Sequence, residues 1–356
     1  MPVELTEHDP RNENLLDFRS DTVTTPSDAM REAAANAEVG DDVKREDPTV
    51  NELEARAADL MGKEAGLYVP SGTMGNQIAA RVHTERGEEA IVDTEGHVYK
   101  WEVGGLAQLS ELQVRPLDYG PEAVPTPEQV RETVTESALH VAGTGLLCLE
   151  NSHNSRGGVA VAPEAVDAAA EVAHDHDVPV HLDGARVCNA AVAQDVDPAR
   201  LVDSVDTVMF CLSKGLGAPV GSMLVGPEEF VEEARRTRKL LGGGMRQAGM
   251  IAAPGLLALE NVDRLAEDHA NAGRLAEGLD ALTGLSVPEP DTNIVLVDTA
   301  GVDVPADEFV AACAERDVGA STFGAYTVRF CTHLDVDEAD VETAIDRVGP
   351  VVSEMA

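Results

Sequence analysis

"CLSKGLGAPVGS", Cys211 to Ser222, decides how this chain is read. A short apolar run ends, one lysine follows, and glycines then turn the chain. That order puts an amine just past the end of a strand, and in open parallel sheets ligands bind beyond the carboxyl ends of the strands. Lysine is scarce: of 26 Lys plus Arg, only Lys44, Lys63, Lys100, Lys214 and Lys239 are lysines. The place of Lys214 therefore asks for a reason.

Outward from this stretch, over about residues 50 to 225, short apolar runs alternate with helical patterns. "GLYVPSG" leads into a helix from Thr73, followed by "AIVDTEG", "GLLCLEN", the helical "PEAVDAAAEVAHDHD", "VPVHLDGA" and "DTVMFCLS". The rhythm predicts a mainly parallel sheet covered by helices. "GGGMRQAGMIAAPGLLALENV" reads as a long buried helix. Beyond it the pattern becomes helix 271–282, strand 292–298, helix 305–317, strand 326–332 and a terminal helix from Asp335. The expected organisation is an N-terminal segment, 1–30, packing near the functional site, a large α/β domain, 31–265, and a small α+β domain, 266–356.

Asp183 ends "VPVHLD" as Lys214 ends "VMFCLSK", and the stretch between them has the length of one crossover unit. Carboxylate and amine thus reach the same sheet edge. At "PSGTMGNQ" the chain passes from strand to helix, where backbone N–H groups and the Ser71 and Thr73 hydroxyls form a phosphate cradle. Taken singly, each feature has an ordinary reading: a helix cap, a strand-end lysine, a capping aspartate. Together they are the parts that pyridoxal 5′-phosphate requires: an amine, an acid for the pyridine nitrogen and an anion site.

Composition narrows the class. Sixty-five acidic against 26 basic side chains give a formal charge of −39, which opposes nucleic-acid binding. The acidic residues are spread along helices and loops, so they read as a folded surface. Cys148, Cys188, Cys211, Cys313 and Cys331 are scattered and mostly within apolar runs, as expected of reduced thiols in a cytoplasmic protein. "MPVELTEHDPRNENLL" lacks the basic start and apolar run of a signal peptide, and no stretch approaches membrane-spanning length. "HDHD" at 174–177, the only local metal candidate, reads as a solvated turn, so no metal site is expected.

Along the chain run "DFRSDTVTTPSDAMREA", "VGDDVKREDPTVNELE", "KEAGLYVPSGTMGN", "HLDGAR", "CLSKGLGAPVGS", "RKLLGGGMRQAG" and "VRFCTHLD". They resemble, in order and from about Asp17 to Asp335, the signatures of the low-specificity L-threonine aldolases. These are fold-type I pyridoxal-phosphate enzymes of the β-eliminating lyase group. The resemblance implies a transferase-like α/β fold and cleavage of L-threonine or L-allo-threonine to glycine and acetaldehyde. It implies that Lys214 carries the cofactor as a Schiff base and Asp183 partners its ring nitrogen. Ser71, Gly72 and Thr73 match the phosphate turn, with Ser213 a helper and Arg246 a phosphate ligand donated across a subunit interface. His97 matches the residue stacked on the ring and His140 a second pocket histidine. Ser20, Arg186 and Arg329 match the groups that hold the substrate carboxylate.

The base that takes the β-hydroxyl proton is then His97 or His140, since imidazole titrates near working pH. Alternation in "YTVRFC" independently sets Arg329 opposite Tyr326, Val328 and Phe330. The resemblance further implies a homo-oligomer with shared active sites, a dimer at least and a tetramer in the family. Lys44 and Arg45 follow "GDDV" where the family carries an aromatic residue and glycine, and Gly75 stands where alanine is commoner; these departures bear on side-chain preference. Rival readings keep the cofactor and change the reaction to β-elimination, racemisation or transamination, or keep the fold for a non-catalytic role. Lys214 and Asp183 argue against the last.

The acidic surface suits a high-salt cytoplasm, where a Debye length of roughly 3 Å at 1 M screens the mutual repulsion of carboxylates. The melting temperature should accordingly rise with KCl concentration in a thermal scan; a flat or falling dependence would remove this reading.

Overall fold

A computed structural model describes residue 12 and residues 14–355. Residues 1–11 and 13 of the expected 1–30 segment, including most of the signal-peptide reading, lie outside the described residues. The chain forms two compact units, one spanning Pro26–Asp263 and the other joining Arg264 onward to the segment that ends at Thr25. The break within 1–30 therefore falls at Thr25. Leu16–Asp17 (β1) explains it, pairing in parallel with Val318–Gly319 (β10) of its own unit.

The larger unit carries seven strands: Ala65–Val69 (β2), Glu89–Asp93 (β3), Gln113–Leu117 (β4), Thr144–Glu150 (β5), Val180–Asp183 (β6), Thr207–Cys211 (β7) and Ser222–Gly226 (β8). Their spatial order is β2-β8-β7-β6-β5-β3-β4. Neighbours run parallel except β8, which is antiparallel to both β2 and β7. The central strands β3, β6, β7 and β8 are buried throughout, as their continuous apolar runs require of a sheet covered on both faces. The five apolar runs read from sequence are β2, β3, β5, β6 and β7; β4 and β8 were not among them.

The helix Gly72–His83 follows β2 and packs on β7. Ser71 caps it, its hydroxyl accepting from Met74 N at 3.2 Å. Two glycines let it approach closely: a Cβ on Gly72 would lie 3.0 Å from Met209 Cε, and one on Gly75 only 2.6 Å from Met209 Cγ. The long helix expected across "GGGMRQAGMIAAPGLLALENV" is shorter. It spans Gly249–Ala258, with a 3₁₀ turn at Leu259–Asn261, while Gly242–Gly244 stay outside. Glycines at the start oppose a continuous helix, which runs on through Pro254, and Met250 is exposed rather than buried.

In the smaller unit Ile294–Asp298 (β9), Ser321–Thr322 (β11) and Thr327–Cys331 (β12) form an antiparallel sheet of order β11-β12-β9. Helices Leu265–Asp280, Ala306–Ala314 and Glu338–Met355 accompany it, around a core that contains Phe18, Phe309 and Phe330. Val328 and Phe330 are buried and Arg329 faces the other way, as alternation predicts. Tyr326 precedes the strand and is exposed, so it does not join that buried face.

The fit of Gly75 to Met209 is testable. Gly75→Ala should destabilise the chain by about 1–3 kcal/mol through overpacking, and adding Met209→Val should recover most of the loss in denaturant titrations. Additive effects in the double variant would show the two positions to be uncoupled.

Candidate active site

Asp183 closes β6 and is buried. Its Oδ1 accepts from Ala185 N at 3.1 Å and its Oδ2 from Asn76 Nδ2 at 2.8 Å. The same Asn76 amide donates at 2.8 Å to Glu102, a second buried carboxylate, which also accepts from Gln77 Nε2 at 2.5 Å. Four residues separate Asn76 from Gly72, one turn down the helix, which brings the amide over the end of β6.

His97 completes the group. Its Nδ1 lies 3.0 Å from Glu102 Oε1 and 3.8 Å from Asp183 Oδ2, and its backbone N–H donates to Glu150 Oε2 at 2.7 Å. Burial by itself would lower the imidazole pKa; the Glu102 hydrogen bond and the charges of Asp183, Glu102 and Glu150 outweigh it and raise it. The ligand atoms of His97, Glu102 and Asp183 lie within 4.8 Å of one another. Asn76 and His97 already bridge these carboxylates.

Lys214 stands three residues past β7, half-buried, with its carbonyl accepting from Gly217 N at 2.8 Å. Its ammonium has no hydrogen-bond or ion-pair partner among the described residues. Ser213 beside it is half-buried too. Ser71 and Thr73 are exposed and Gly72 half-buried at the N-terminus of the helix that carries Asn76. Arg186 is buried after β6 and donates to Asn154 Oδ1 at 3.2 Å.

The other expected site residues have surroundings of their own. His140 is exposed in the turn between Ala138 and Val141. Arg246 is exposed and pairs with Asp41 of its own chain at 2.8 Å. Ser20 and Arg329 belong to the smaller unit: Ser20 caps the turn Asp21–Val23, and Arg329 donates to Arg19 O at 3.0 Å with its guanidinium 5.1 Å from the Phe323 ring. Lys44 and Arg45 line a groove of about 840 Å³ with Glu229, Glu232, Arg236 and Lys239. "HDHD" is an exposed helix end, with His174 Nε2 2.9 Å from Asp206.

Sequence reasoning missed several buried polar groups. Asn76 and His181 were visible only as a helical neighbour of Gly72 and a period-two neighbour of Asp183, and Glu102 carried no local signal. Another is His153, whose Nε2 lies 2.8 Å from Asp93 Oδ2 at the end of β3. Burial would raise the Asp93 carboxyl, yet the hydrogen bonds from His153 and Arg156 hold it far below the usual carboxylate range. Burial likewise opposes charge on His153, and the carboxylates of Glu150 and Asp93 prevail to raise it. This pair ties the carboxyl ends of β3 and β5 beside the site.

Residues 17–301 match the beta-eliminating lyase family. The chain belongs to that family. It is 42% identical to the probable low-specificity L-threonine aldolase 2 of Arabidopsis thaliana over 345 residues, 94% of this chain and 96% of that protein. It is 43% identical to the low specificity L-threonine aldolase of Escherichia coli strain K12 over 323 residues, 90% of this chain and 95% of that one. Among solved structures, a threonine aldolase from Leishmania major superposes with a TM-score of 0.80 at 17% identity, covering 94% of this chain and 99% of that chain. The lyase fold is that of the fold-type I pyridoxal-phosphate enzymes. Among the described residues no helix is long and apolar enough to cross a membrane.

Buried histidines give the lyase a pH signature. Burial pushes His83 from 6.5 down to about 4 and His181 from 6.5 down to about 3. Their folded values lie below the unfolded value, so the stability linked to them is present above pH 6.5 and is lost as pH falls toward 4. At about 1.4 kcal/mol per pKa unit, each of these two shifts is linked to a few kcal/mol at most. His97 and His153 are raised, so their contribution is full at low pH and is lost only as pH rises through their folded values. The melting temperature should fall between pH 6.5 and pH 4, and more gently in His83→Gln; equal slopes in both proteins would contradict the assignment.

Proposed function

We propose that the chain is a pyridoxal-phosphate-dependent aldehyde-lyase that cleaves L-threonine or L-allo-threonine to glycine and acetaldehyde. One observation carries the reading: a buried carboxylate, Asp183, pinned by Asn76 beside His97 at the end of β6, with Lys214 past the end of neighbouring β7. The relatives named as threonine aldolases, at 42% and 43% identity, support the choice of substrate.

The residues present suit the cofactor. A buried acid held by neutral donors on one side accepts a protonated ring nitrogen, and the capped helix start at Ser71, Gly72 and Thr73 offers donors to a phosphate. Lys214 would supply the amine, with Ser213 and Arg246 of a second copy of the chain helping to hold the phosphate and His97 lying against the ring. When bound, pyridoxal phosphate supplies the electron sink for the Cα–Cβ bond pair.

Arg186, buried just past β6, holds the substrate carboxylate and so orients that bond. A histidine takes the β-hydroxyl proton as acetaldehyde departs, and a proton returned to Cα completes glycine. Between the two expected bases, membership of the carboxylate cluster favours His97 over the exposed His140. The active assembly is a cytoplasmic homo-oligomer, at least a dimer and in this reading a tetramer. Val103 at 86%, Leu139 at 91% and Leu240 at 68% exposure are the kind of apolar surface that subunit contacts cover.

In concentrated KCl with added pyridoxal phosphate, the wild-type chain should release acetaldehyde from L-threonine, and Lys214→Ala should fall to background. A folded wild type that binds the cofactor but releases none would move the assignment to another β-hydroxy amino acid or to β-elimination.

A further inference from the structure

Asn76 and His83 lie seven residues apart in the helix Gly72–His83 and therefore face the same side, about two turns from one another. Beneath them His181 of β6 and Thr207 of β7 are partners in the parallel ladder, on the face that also carries Asp183 and Met209. The four side chains form an unbroken line between helix and sheet. His83 Nε2 lies 2.8 Å from Thr207 Oγ1, which lies 2.9 Å from His181 Nδ1; His181 Nε2 lies 3.0 Å from Asn76 Oδ1. Asn76 Nδ2 then reaches Asp183 and Glu102, each at 2.8 Å.

The sense of every bond in the line is forced. Ionised carboxylates only accept, so the two N–H groups of Asn76 face them and its oxygen accepts from His181 Nε2–H. A neutral imidazole has one N–H, so His181 Nδ1 accepts from the Thr207 hydroxyl, and that oxygen accepts from His83 Nε2–H. Burial keeps both imidazoles neutral, and a ring stacked at 4.7 Å on Phe230 holds His83 in place.

We propose that this directed chain of donors, from His83 through Thr207 and His181 to Asn76, is a positioning device for the active site. It holds the Asn76 amide so that Asp183 faces the cofactor ring nitrogen and Glu102 faces His97. The inference rests on the reading of Asp183 as the cofactor's partner. Without the chain the amide is free to turn, which would set its oxygen against two carboxylates. The line also places Thr207 and His83 beyond direct contact with cofactor or substrate, so they act only through their neighbours.

The test compares Thr207→Val, which keeps the shape and removes the hydroxyl, with Thr207→Ser, which keeps the hydroxyl. Affinity for pyridoxal phosphate is titrated through the visible absorbance of the bound cofactor. Thr207→Val should bind about tenfold more weakly, because a buried acceptor on His181 loses its donor, and Thr207→Ser should bind as the wild type does. A folded Thr207→Val that binds as tightly as wild type overturns the proposal.

Nitrogen NMR of the wild-type histidines provides a second arm that needs no variant. His181 should carry its proton on Nε2 near neutral pH, and a proton on Nδ1 or on both nitrogens overturns the proposal even if Thr207→Val does not fold. A wild type with no cofactor absorbance would count against the cofactor reading instead, and the tautomer of His181 would then decide the donor chain alone.

Discussion

One amide group, that of Asn76, donates to two buried carboxylates, and the arrangement of the site depends on it. Two carboxylates this close repel one another, and each would cost several kcal/mol to bury unpaired. The amide removes part of that cost and fixes their separation. It also explains why histidines in one small region shift in opposite directions. His97 faces Glu102, Asp183 and Glu150, and its charged form is favoured. His181, packed against Asn76 and Thr207, meets only neutral partners at hydrogen-bond distance, and burial drives it neutral. A site so rich in anions suits a cationic ligand group beside Asp183, as the proposed function requires.

That amide can reach the carboxylates only because the helix lies close to the sheet. Gly72 and Gly75 leave no Cβ between the helix and Met209, and Asn76 comes next in sequence. Packing and chemistry share one interface here: the residues that allow the approach are neighbours of those that use it. The same closeness encloses His83, His181 and Thr207 in a layer with little access to water, where hydrogen bonds are strong and an unpaired group is costly.

Much of this was legible in the sequence because strand ends carry chemistry in a parallel sheet. "VPVHLD" and "VMFCLSK" located Asp183 and Lys214 at neighbouring strand ends, and "PSGT" gave the helix cap that Ser71 makes. Less legible were residues whose importance lies in partners distant in sequence. Glu102 is 81 positions from Asp183, and nothing in "KWEVGG" marks it for burial until the helix bearing Asn76 and Gln77 is laid over it. His181 looked like a strand residue. Only the register that sets it beside Thr207 gives its two nitrogens distinct partners. The N-terminal break at Thr25 was hidden for a similar reason, since β1 is two residues long and is recognisable only through its pairing with β10.

The five lysines show how scarcity becomes informative. Lys63 donates to Val202 O and Val205 O at 2.7 and 2.6 Å, closing a turn that would otherwise leave carbonyls open. Lys100 pairs with Glu95 at 2.7 Å, and Lys44 lies 3.9 Å from Asp41. Lys239 is exposed beside the same groove as Lys44. Each of these four either satisfies a named acceptor or stands in water. Lys214 does neither: it is half-buried past a strand end, and its amine is uncommitted among the described residues. Among the five lysines it alone is half-buried without a named acceptor among the described residues. Its place just past β7, whose end lies beside that of β6 and Asp183, is the one the proposed cofactor attachment needs.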